Sequence, residues 1–577
     1  MKRGQLLVLF LFGFLFCHGQ NCNCDVTLTG LSSTSLNIIW ASQTSYAPGD
    51  TICIQAGTYR GIRFYDFEGT ETAPVVIKNC GGQVILDESH YSGIDFQRSK
   101  YIHLTGTGDT GYQYGFKVID TGGGSVGVNL QNLSTDIEVD HVEVSYAGFA
   151  GIMAKTDPQC SRPETWRRNG FIMKNLNIHH NYVHDTGGEG IYIGFTGGYK
   201  LDSNRSCSGD PIYGHWLEDV DVHDNIFEAI DWDAIQLNLV RSNGTIRNNT
   251  VKDYGTDGRW GQSFAMSVGG GTYSIFNNYI ENNNLEKGWG MQLISGESGT
   301  KIFNNVFVNP KKHGIFLHQR HDFDDPLEGY YVANNTIIEA ERAGIHYNSK
   351  IIHPIDPLDK YRKQDEVPNF FVNNLIVDPG YDFEGGNTWK QNQESYIDFN
   401  DRSTRDSMAI NIYTNLLTRD MDTLGLTDVT NNDYSPASLL SDVVDSGTDL
   451  SSWGITFDFD NDSRPSGNTH DIGAYEFQQS GGTSLTAQLP VGTASALNSK
   501  NNTSTVFYPN PAKTSFRIEN KRFEQVQLEL ISLQGRILYQ DSYAIGSEFN
   551  VEEMASGLYF IRLRAPNFLE THQLVIQ

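Results

Sequence analysis

The middle of the chain repeats one pattern of polar and apolar positions. Each unit has two polar residues, the second of which is Asn, then a short β-branched run, and several residues later a Gly or Ala before an alternating apolar segment. The clearest units combine residues 180–183 with 190–193, 224–227 with 234–237, 277–280 with 290–293, 304–307 with 314–317, and 334–337 with 344–347. Alternation of apolar and polar residues predicts strands that bury every second side chain.

The distance between successive units indicates the type of repeat. The second polar residue is Asn at positions 181, 225, 249, 278, 305, 335 and 374, so the steps are 44, 24, 29, 27, 30 and 39 residues. A basic step in the mid-twenties, lengthened by insertions, is too long for a strand hairpin and too rich in β-branched residues for a helical repeat. The spacing therefore predicts one coil of a parallel β-solenoid per unit.

These units resemble the coils of right-handed parallel β-helix proteins, in which equivalent Asn side chains stack into a hydrogen-bonded ladder. Residues 48–52 and 56–59 resemble the first coil of such proteins, and residues 471–476 resemble their last coil. The resemblance implies an all-β chain with a right-handed parallel β-helix, a solenoid with an Asn ladder, over residues 20–477. A small C-terminal β-sandwich is expected to follow it.

Residues 1–19 have the pattern of a secretory signal peptide. Lys2 and Arg3 give a charged start, residues 6–16 an apolar run, and residues 17–19 a cleavage site. The alternative is a lipoprotein signal with Cys17 as the lipidated residue, which the bulky Phe16 before it disfavours. No other segment approaches the ~18 apolar residues that a membrane span needs.

Six cysteines remain after removal of this signal, at positions 22, 24, 53, 80, 160 and 207. An even number of cysteines in an exported protein favours disulfides. Because Cys160 and Cys207 both lie in long insertions, we expect them to pair.

Residues 478–503 are rich in Gly, Ser, Thr and Asn without periodicity, which predicts a flexible linker. Beyond it, the Tyr-Pro-Asn-Pro segment at 508–511 and the Gly-Leu-Tyr segment at 557–559 resemble the C-terminal sorting domain of the type IX secretion system. That resemblance, over residues 504–577, implies the secretion machinery as a partner, export through the outer membrane, and a secreted or cell-surface location. The alternative is a β-sandwich tail that binds sugar.

Composition narrows the class of partner. The chain has 69 acidic and 42 basic residues, a net charge of −27, with 58 Gly and 12% aromatic residues. The Gly and aromatic content suits a turn-rich all-β protein. The acidic balance and the lack of an extended basic face argue against nucleic-acid binding, and we expect a monomer.

Candidate chemistry follows from the side chains that point outward on one predicted sheet. If the apolar positions of the alternating segments face the core, their neighbours form a stripe of amides, imidazoles and rings, which hydrogen-bond hydroxyls and stack on sugar rings. The predicted substrate-binding residues are Tyr192, Gln236, Asn238, Trp289, Gln292, Lys312, His313 and Asn348. The alternative is an ordinary polar outer face.

The first candidate cluster along this stripe is acidic. Its members are His179, His180, His184, Asp185 and Glu189, with Asp231 and Asp233 one coil later. One possible role is Ca²⁺ binding through Asp185, Asp231 and Asp233. A second is acid–base catalysis on a glycosidic bond by Asp233 with Glu189 or Asp231, and a third is acceptance of turn N–H groups.

The second candidate cluster is cationic, in a protein of opposite net charge. Its members are Lys311, Lys312, His313, His318, Arg320 and His321, with His346 one coil later. Such a cluster would bind a uronate or sulfate by charge-assisted hydrogen bonds; alternatively it pairs with the acidic residues at 322, 324 and 325. In a lyase, His318 and His346 would be base and acid. Arg320 or Lys312 would neutralise the uronate carboxylate.

Exported β-helix proteins with an outward polar stripe are often enzymes that act on long acidic polysaccharides. The resemblance therefore implies a carbohydrate-active enzyme that depolymerises an anionic polysaccharide, uronate-containing or sulfated, with a lyase that works by β-elimination ahead of a glycoside hydrolase. A non-catalytic surface glycan-binding protein or adhesin stays open. The chain lacks the Arg motif of pectate lyases and the Asp-Asp and Gly-His-Gly motifs of polygalacturonases. At 157–159 it has Asp-Pro-Gln where alginate epimerases have Asp-Pro-His.

Overall fold

The structure of the chain is a computed structural model. It describes residues 22–87, 92–119, 122–195, 200–283, 287–294, 299–318, 329–348, 368–380, 396–399, 410–478, 506–508, 512–519, 523–532, 537–551, 554, 557–565 and 568–576. The predicted signal peptide, the predicted linker beyond its first residue, and residues 320–325 of the predicted cationic cluster and its acidic neighbours lie outside the described residues.

Short parallel strands, numbered in chain order, wind into coils with three faces. The first face contains β1 (Val26–Leu28), β3 (Thr51–Tyr59), β5 (Val75–Asp87), β7 (Lys100–Thr105), β10 (Thr135–Asp140), β13 (Ile172–His179), β18 (Trp216–His223), β21 (Val240–Arg247), β24 (Tyr273–Phe276), β27 (Lys301–Phe303), β30 (Tyr331–Ala333), β33 (Asn369–Val372) and β36 (Ile410–Tyr413). The second face contains β8 (Phe116–Ile119), β11 (Val142–Ser145), β14 (Tyr182–Thr186), β19 (Ile226–Ile230), β22 (Thr250–Tyr254), β25 (Tyr279–Glu281), β28 (Val306–Val308), β31 (Thr336–Ile338), β34 (Leu375–Val377) and β37 (Leu416–Thr418).

The third face is a separate 12-stranded sheet, here called the site sheet. It contains β2 (Asn37–Trp40), β4 (Ile62–Tyr65), β6 (Ser92–Gln97), β9 (Val126–Gln131), β12 (Ala150–Lys155), β15 (Glu189–Ile193), β20 (Ile235–Asn238), β23 (Phe264–Gly269), β26 (Trp289–Ile294), β29 (Lys311–His318), β32 (Ile345–Asn348) and β35 (Ile397–Phe399). The long strands β3 and β5 continue around a corner, so the first two faces form one 23-stranded sheet. The chain is therefore a parallel β-helix, as its repeat predicts.

The predicted Asn ladder lies at the corner between the first and second faces. The Nδ2 of Asn278 donates to Oδ1 of Asn305 at 2.9 Å, and Asn305 donates in the same way to Asn335 at 3.0 Å. The ladder runs through Asn181, Asn225, Asn249, Asn278, Asn305, Asn335, Asn374 and Asn415. It satisfies buried amides that would be costly without partners, and it extends one coil beyond the positions found from the sequence.

The residue before each ladder position has left-handed backbone geometry. These corner residues have φ between 50° and 56° and are His180, Asp224, Asn248, Asn277, Asn304, Asn334, Asn373 and Thr414, and His141 has the same geometry one coil before the ladder begins. Asn, Asp and His tolerate this conformation best among residues that carry a side chain. The first of the two polar positions in the repeat is therefore fixed by the turn.

Gly190 in β15 and Gly314 in β29 are required by close packing at the next corner. A Cβ at Gly190 would lie 2.8 Å from the Phe227 ring, and one at Gly314 would lie 2.6 Å from Ile337. Both distances are shorter than real side chains allow, so a larger residue would push the coils apart. The apolar residues inside the coils are almost completely buried and form one continuous core.

Three disulfides fix the insertions and the first coils. Cys22 bonds to Cys80, Cys24 to Cys53, and Cys160 to Cys207. The last pair is the one expected from the sequence. It joins the insertion after β12 to the antiparallel hairpin of β16 (Lys200–Cys207) and β17 (Asp210–Tyr213).

After the last coil, residues 445–475, here called the return segment, run back along the corner. Asn334 Nδ2 donates to the Asp471 carbonyl and Asn304 Nδ2 to the Phe457 carbonyl. Buried Arg464 forms an ion pair with Glu476 at 2.9 Å. The turn before it contains a small antiparallel pair, β38 (Leu426–Asp428) and β39 (Asp433–Pro436).

The C-terminal strands form two antiparallel sheets that share one hydrophobic core. One sheet contains β40 (Val506–Tyr508), β41 (Ser515–Glu519) and β44 (Glu548–Asn550), and the other contains β42 (Gln525–Ser532), β43 (Ile537–Ala544), β45 (Gly557–Ala565) and β46 (Phe568–Ile576). The helices of the described residues are single 3₁₀ turns at Ala41–Gln43, Pro163–Thr165, Asp422–Leu424, Val429–Asn431 and Ser451–Trp453. None of the described helices has the length and apolar character needed to cross a membrane.

Candidate active site

The site sheet brings the predicted stripe into one in-register row. Its members, from one coil to the next, are Tyr192, Gln236, Ser267, Gln292, Phe316, His346 and Asp398. A second row, two residues further along the strands, contains Asn238, His318 and Asn348. Between the rows, Leu237 and Leu317 point inward and are fully buried. The alternation of the sequence therefore gives the correct face of each strand.

The stripe is enclosed, whereas the sequence suggests an open outer face. Gln236 and Ser267 are 1% exposed, and Gln292 is 4% exposed. Gln292 Nε2 donates to Ser267 Oγ at 2.7 Å, and its Oε1 accepts a hydrogen bond from His318 Nε2 at 3.1 Å. Buried polar groups need such partners, so this face resembles the lining of a cleft more than a solvated surface.

Glu189 and Asp233 form a pair of buried carboxyls on neighbouring coils. The N–H of Gly190 donates to the backbone carbonyl of Asp233 at 3.0 Å, which places the two residues side by side. Glu189 Oε1 accepts from Gln262 Nε2 at 3.0 Å, and Asp233 Oδ1 accepts from the N–H of Phe264 at 2.8 Å. The other oxygens, Glu189 Oε2 and Asp233 Oδ2, have no hydrogen-bond partner among the described residues.

Burial changes the protonation of this pair. It raises the pKa of Glu189 to about 7, although Arg259 and Lys155 offset part of the effect. It also raises the pKa of Asp233 well above its ordinary value, and the negative charge of Glu189 raises that pKa further. Adjacent carboxyls of this kind titrate as one unit. Between its two ionisations the pair holds one proton and one negative charge, which is the state that acid–base catalysis requires.

Rings and two cations surround the pair. The Arg259 guanidinium lies 3.8 Å from the ring centroid of Trp232, and Trp232 packs against Phe149 with centroids 6.0 Å apart. Phe149 also packs edge-to-face on Tyr192 at 5.8 Å, and Lys155 Nζ lies 5.2 Å from the Tyr192 ring. Rings of this kind stack on sugars, and the cations can pair with acidic groups of a substrate.

Sequence reasoning missed the loop between β22 and β23. Arg259 and Gln262 both reach the carboxyl pair from this loop, and Trp260 between them is 84% exposed. A cation, an exposed ring and an amide within four residues were the available signal. The contact of Gln262 with Glu189 spans 73 residues of sequence, which a single sequence does not reveal.

The predicted cationic cluster is an aromatic–imidazole stack on β29 and β32. The His313 and His346 rings stack with centroids 4.4 Å apart, as do the Phe316 and His318 rings. His346 Nδ1 lies 2.5 Å from Asp398 Oδ2, so this carboxylate orients the imidazole. Burial lowers the pKa of His313 well below its ordinary value. His313 is therefore neutral near pH 7, and the cluster carries less charge than its composition suggests.

Lys312 borders this stack. Its Nζ lies 3.4 Å from the ring centroid of Trp289, and burial together with the charge of Arg342 lowers its pKa. Lys311 pairs with Glu341 at 3.3 Å. Of the two lysines, Lys312 is thus the one available to a substrate on the stripe.

The predicted acidic cluster does not stay together. His179 lies at the end of a first-face strand, Asp185 on the second face and Glu189 on the site sheet. The chain turns two corners between His179 and Glu189, so nearness in sequence places these side chains on different faces. The histidines of this cluster are therefore separated from the carboxyl pair.

The three predicted Ca²⁺ ligands have other contacts. Asp185 is exposed and pairs with His184 at 2.7 Å, while Asp231 accepts from Thr256 Oγ1 at 2.5 Å. Among the described residues, Asp185, Asp231 and Asp233 are not a group whose ligand atoms all lie within 4.8 Å of one another. Ca²⁺ binding at these residues gains no geometric support and stays a prediction.

Comparisons with known proteins agree with this architecture. Residues 175–350 match the model of the right handed beta helix region, and residues 506–577 match that of the secretion system C-terminal sorting domain. The protein is thus a right-handed β-helix protein whose C-terminal domain marks it for export through the outer membrane, secreted or surface-attached. No curated protein matches the chain.

Similar solved structures include a pectate lyase, 14% identical with a TM-score of 0.39, covering 78% of this chain and 97% of that one. A PL6 family polysaccharide lyase from Pseudopedobacter saltans is 13% identical with a TM-score of 0.34, covering 66% of this chain and 92% of its own. The GH136 lacto-N-biosidase from Eubacterium ramulus is 10% identical with a TM-score of 0.39, covering 66% of this chain and 63% of its own. Similarity at this level carries no information about activity.

Proposed function

We propose that the protein is an exported carbohydrate-active enzyme that cleaves glycosidic bonds of a polysaccharide, with Glu189 and Asp233 as its acid–base pair. The main support is the pair itself, which combines burial, raised pKa values and one unpartnered oxygen on each side chain. Carboxyls that serve only packing usually have both oxygens hydrogen-bonded. Strongly shifted pKa values next to a specific charged partner are typical of catalytic sites.

A sugar chain on the stripe would find all the groups that hydrolysis needs. Gln262 covers Glu189 with a single amide hydrogen bond, which a substrate hydroxyl can replace. The protonated carboxyl then donates its proton to the glycosidic oxygen. The ionised carboxyl attacks the anomeric carbon or takes a proton from the attacking water, and a carboxyl separation of roughly 5 Å or 6.5–9.5 Å respectively distinguishes these routes.

The cations near the pair favour an acidic substrate. Lys155 and Arg259 both lower the pKa of Glu189, so their charge acts on the site despite the net charge of −27. Lys312 lies further along the stripe, against Trp289. A uronate or sulfate group on the polymer could pair with these cations, which supports the anionic polysaccharide expected from the sequence.

A lyase is the second candidate, because the His346–Asp398 pair has the geometry of an oriented base. A β-elimination also needs a cation that neutralises the uronate carboxylate and an acid for the leaving oxygen. Lys312 and His318 are the described residues suited to these roles. Hydrolysis is favoured over elimination here because the carboxyl pair already combines the required acid and base.

The test uses the full mature chain with a panel of uronate-containing and sulfated polysaccharides. New reducing ends and the ultraviolet absorbance of unsaturated uronates would be followed together. Hydrolysis gives reducing ends without absorbance, and we expect Glu189→Gln and Asp233→Asn each to lower kcat by at least roughly 100-fold. Glu228→Gln, which alters an acidic residue of the second face, is the matched control and should leave the rate unchanged.

Two outcomes would overturn this assignment. Rising absorbance that is abolished by His346→Asn but not by Glu189→Gln would establish the lyase. No product from any polymer, combined with retention of the protein by one polymer in a native affinity gel, would establish a glycan-binding protein without catalysis.

A further inference from the structure

Histidines and carboxylates gather outside the corner between the first and second faces, apart from the site sheet. They belong to four successive coils and are His103, Glu138, Asp140, His141, His179, His180, His223 and Asp224. The proposed cleavage chemistry uses none of them. Their arrangement indicates a second kind of site.

Two of these imidazoles, those of His179 and His223, each form a hydrogen bond through Nε2 to a side chain of the preceding coil. The His179 and His223 rings stack with centroids 4.7 Å apart and planes 10° from parallel. His179 Nε2 lies 2.9 Å from Glu138 Oε1, and His223 Nε2 lies 3.0 Å from Asn177 Oδ1. Both partner atoms are acceptors, so each Nε2 carries the proton. In the neutral ring each Nδ1 then has a free lone pair.

Both lone pairs face further electron-rich atoms at the corner. His179 Nδ1 lies 2.8 Å from His180 Nδ1, and His223 Nδ1 lies 2.6 Å from Asp224 Oδ2. Donor atoms of His180, His223 and Asp224 all lie within 4.8 Å of one another. Two lone pairs at these distances would repel, so one atom of each pair must carry a proton or both must bind a metal ion.

We propose that His180, His223 and Asp224 bind a divalent transition-metal ion of the Zn²⁺ class, with His179 as a positioning residue beside His180. Two imidazoles and one carboxylate are a donor set that suits Zn²⁺ and its neighbours better than Ca²⁺ or Mg²⁺. Asn177 orients the His223 ring in the way that outer hydrogen-bond partners orient metal-binding imidazoles. Three protein ligands leave a coordination position for water.

The neighbouring group of His103, Glu138 and Asp140 differs, because its carboxylate is already saturated. Asp140 accepts hydrogen bonds from His103, Thr105 and His141. Although burial acts to raise it, these bonds lower the pKa of Asp140 to about 2. The charge of this group is compensated by its own hydrogen bonds, so we place the ion on the next two coils.

The chain offers a matched pair of variants for the test. The double variant His180→Asn with Asp224→Asn removes two ligands but keeps residues that suit the left-handed corner, since later coils have Asn there. His141→Asn makes the same change one coil earlier, outside the proposed ligand set. After treatment with EDTA, the mature chain without an affinity tag would be titrated with Zn²⁺ by calorimetry, in two buffers of different ionisation enthalpy so that proton release is also measured.

We expect one Zn²⁺ per wild-type chain, binding that persists in excess Ca²⁺, and roughly 100-fold weaker binding in the double variant. His141→Asn should bind as wild type does. Anomalous diffraction from Zn²⁺-soaked crystals of the wild type should place the ion between residues 180, 223 and 224, whether or not the double variant folds well.

Three results would each overturn the proposal: no saturable Zn²⁺ binding by the wild type, unchanged binding in the double variant, or an anomalous peak elsewhere. An equal loss of Zn²⁺ affinity in His141→Asn would also overturn it, because it would indicate a general affinity of a histidine-rich surface for the ion. None of these measurements depends on polysaccharide cleavage, so this proposal and the proposed function stand or fall separately.

Discussion

The early and late coils use the same corner in opposite ways. One in-register row beside the corner is polar in the early coils, with Asp140, His179, His223 and Arg247. The same row is apolar in the late coils, with Phe276, Phe303, Ala333, Val372 and Tyr413. The return segment packs on the late row through Leu450, Ile455 and Phe457. In the early coils the corner residue His180 is exposed.

This difference distinguishes the backbone conformation that the corner requires from the contacts that its side chains make. Every corner residue has the same left-handed φ, so the turn restricts the choice mainly to Asn, Asp and His. In the late coils Asn supplies an N–H donor for the return segment, as Asn334 does for the Asp471 carbonyl. In the early coils His and Asp supply lone pairs instead. One conformational requirement thus permits either self-packing or ligand binding.

The largest expected effect comes from loosening the return segment. Arg464→Met removes the partner of buried Glu476 and should lower the free energy of unfolding by about 3–5 kcal/mol. Hydrogen exchange should then increase in the late coils and not in the early ones. The exposed Arg98–Asp66 pair gives the control, since Arg98→Met should cost no more than about 1 kcal/mol. Equal exchange changes in both halves would show that the return segment does not stabilise the late corner specifically.

The next effect is the pH dependence of stability, to which Glu189 contributes at the candidate site and Glu476 contributes beside the late coils. Burial raises the pKa of Glu189 and that of Glu476 to about 7 in the folded protein, from an ordinary value of 4.5. The folded state therefore favours their protonated forms. This contribution is fully present below pH 4.5 and is lost as the pH rises to about 7.

Glu189→Gln should accordingly make stability less dependent on pH between 4.5 and 7, by up to about 3 kcal/mol, because about 1.4 kcal/mol accompanies each unit of pKa difference. Chemical denaturation at several pH values measures this directly. Glu476→Gln provides the parallel measurement in the late coils. Identical pH profiles for wild type and Glu189→Gln would mean that Glu189 is not protonated preferentially in the folded state.

The smallest effect compares corner residues directly. Asn334→Ala loses a buried hydrogen bond and places Ala at a φ of 52°, so we expect a loss of about 2 kcal/mol. His180→Asn in metal-free solution keeps a suitable residue at the same φ and should change stability by less than about 0.5 kcal/mol. Thermal unfolding in EDTA measures both. A large loss in His180→Asn would indicate that the early corner is also stabilised by packing.

Most of the architecture could be predicted from the sequence because a solenoid repeats its local requirements. The ladder Asn, the corner residue and the close-packed Gly or Ala recur in successive coils from Asn181 onward, so each is visible along the chain. Asn415 was not recognised as a ladder position, because Thr414 precedes it and an insertion places it 41 residues after Asn374. The sequence predicted a carboxyl pair of Asp233 with Glu189 or Asp231, and the structure places Glu189 beside Asp233 on the neighbouring coil.

The rest of the candidate site depends on contacts that the repeat does not specify. Asp398 contacts His346 although 52 residues of sequence separate them, and Gln262 contacts Glu189 from a loop outside the coil pattern. The sequence also grouped His179 with Glu189 because they are ten residues apart, although two corners separate them. Residues that are close in sequence within one coil can lie on different faces, whereas residues at equivalent positions of neighbouring coils lie side by side.

The ladder keeps nearly constant hydrogen-bond lengths, 2.8–3.0 Å, although the steps between its Asn residues vary from 24 to 44. Insertions between coils therefore do not disturb the register of the scaffold. Over evolutionary time, loops can be gained, lost or exchanged while the coils are inherited unchanged. Homologues with the same ladder are thus expected to diverge first in these loops and only later in their fold.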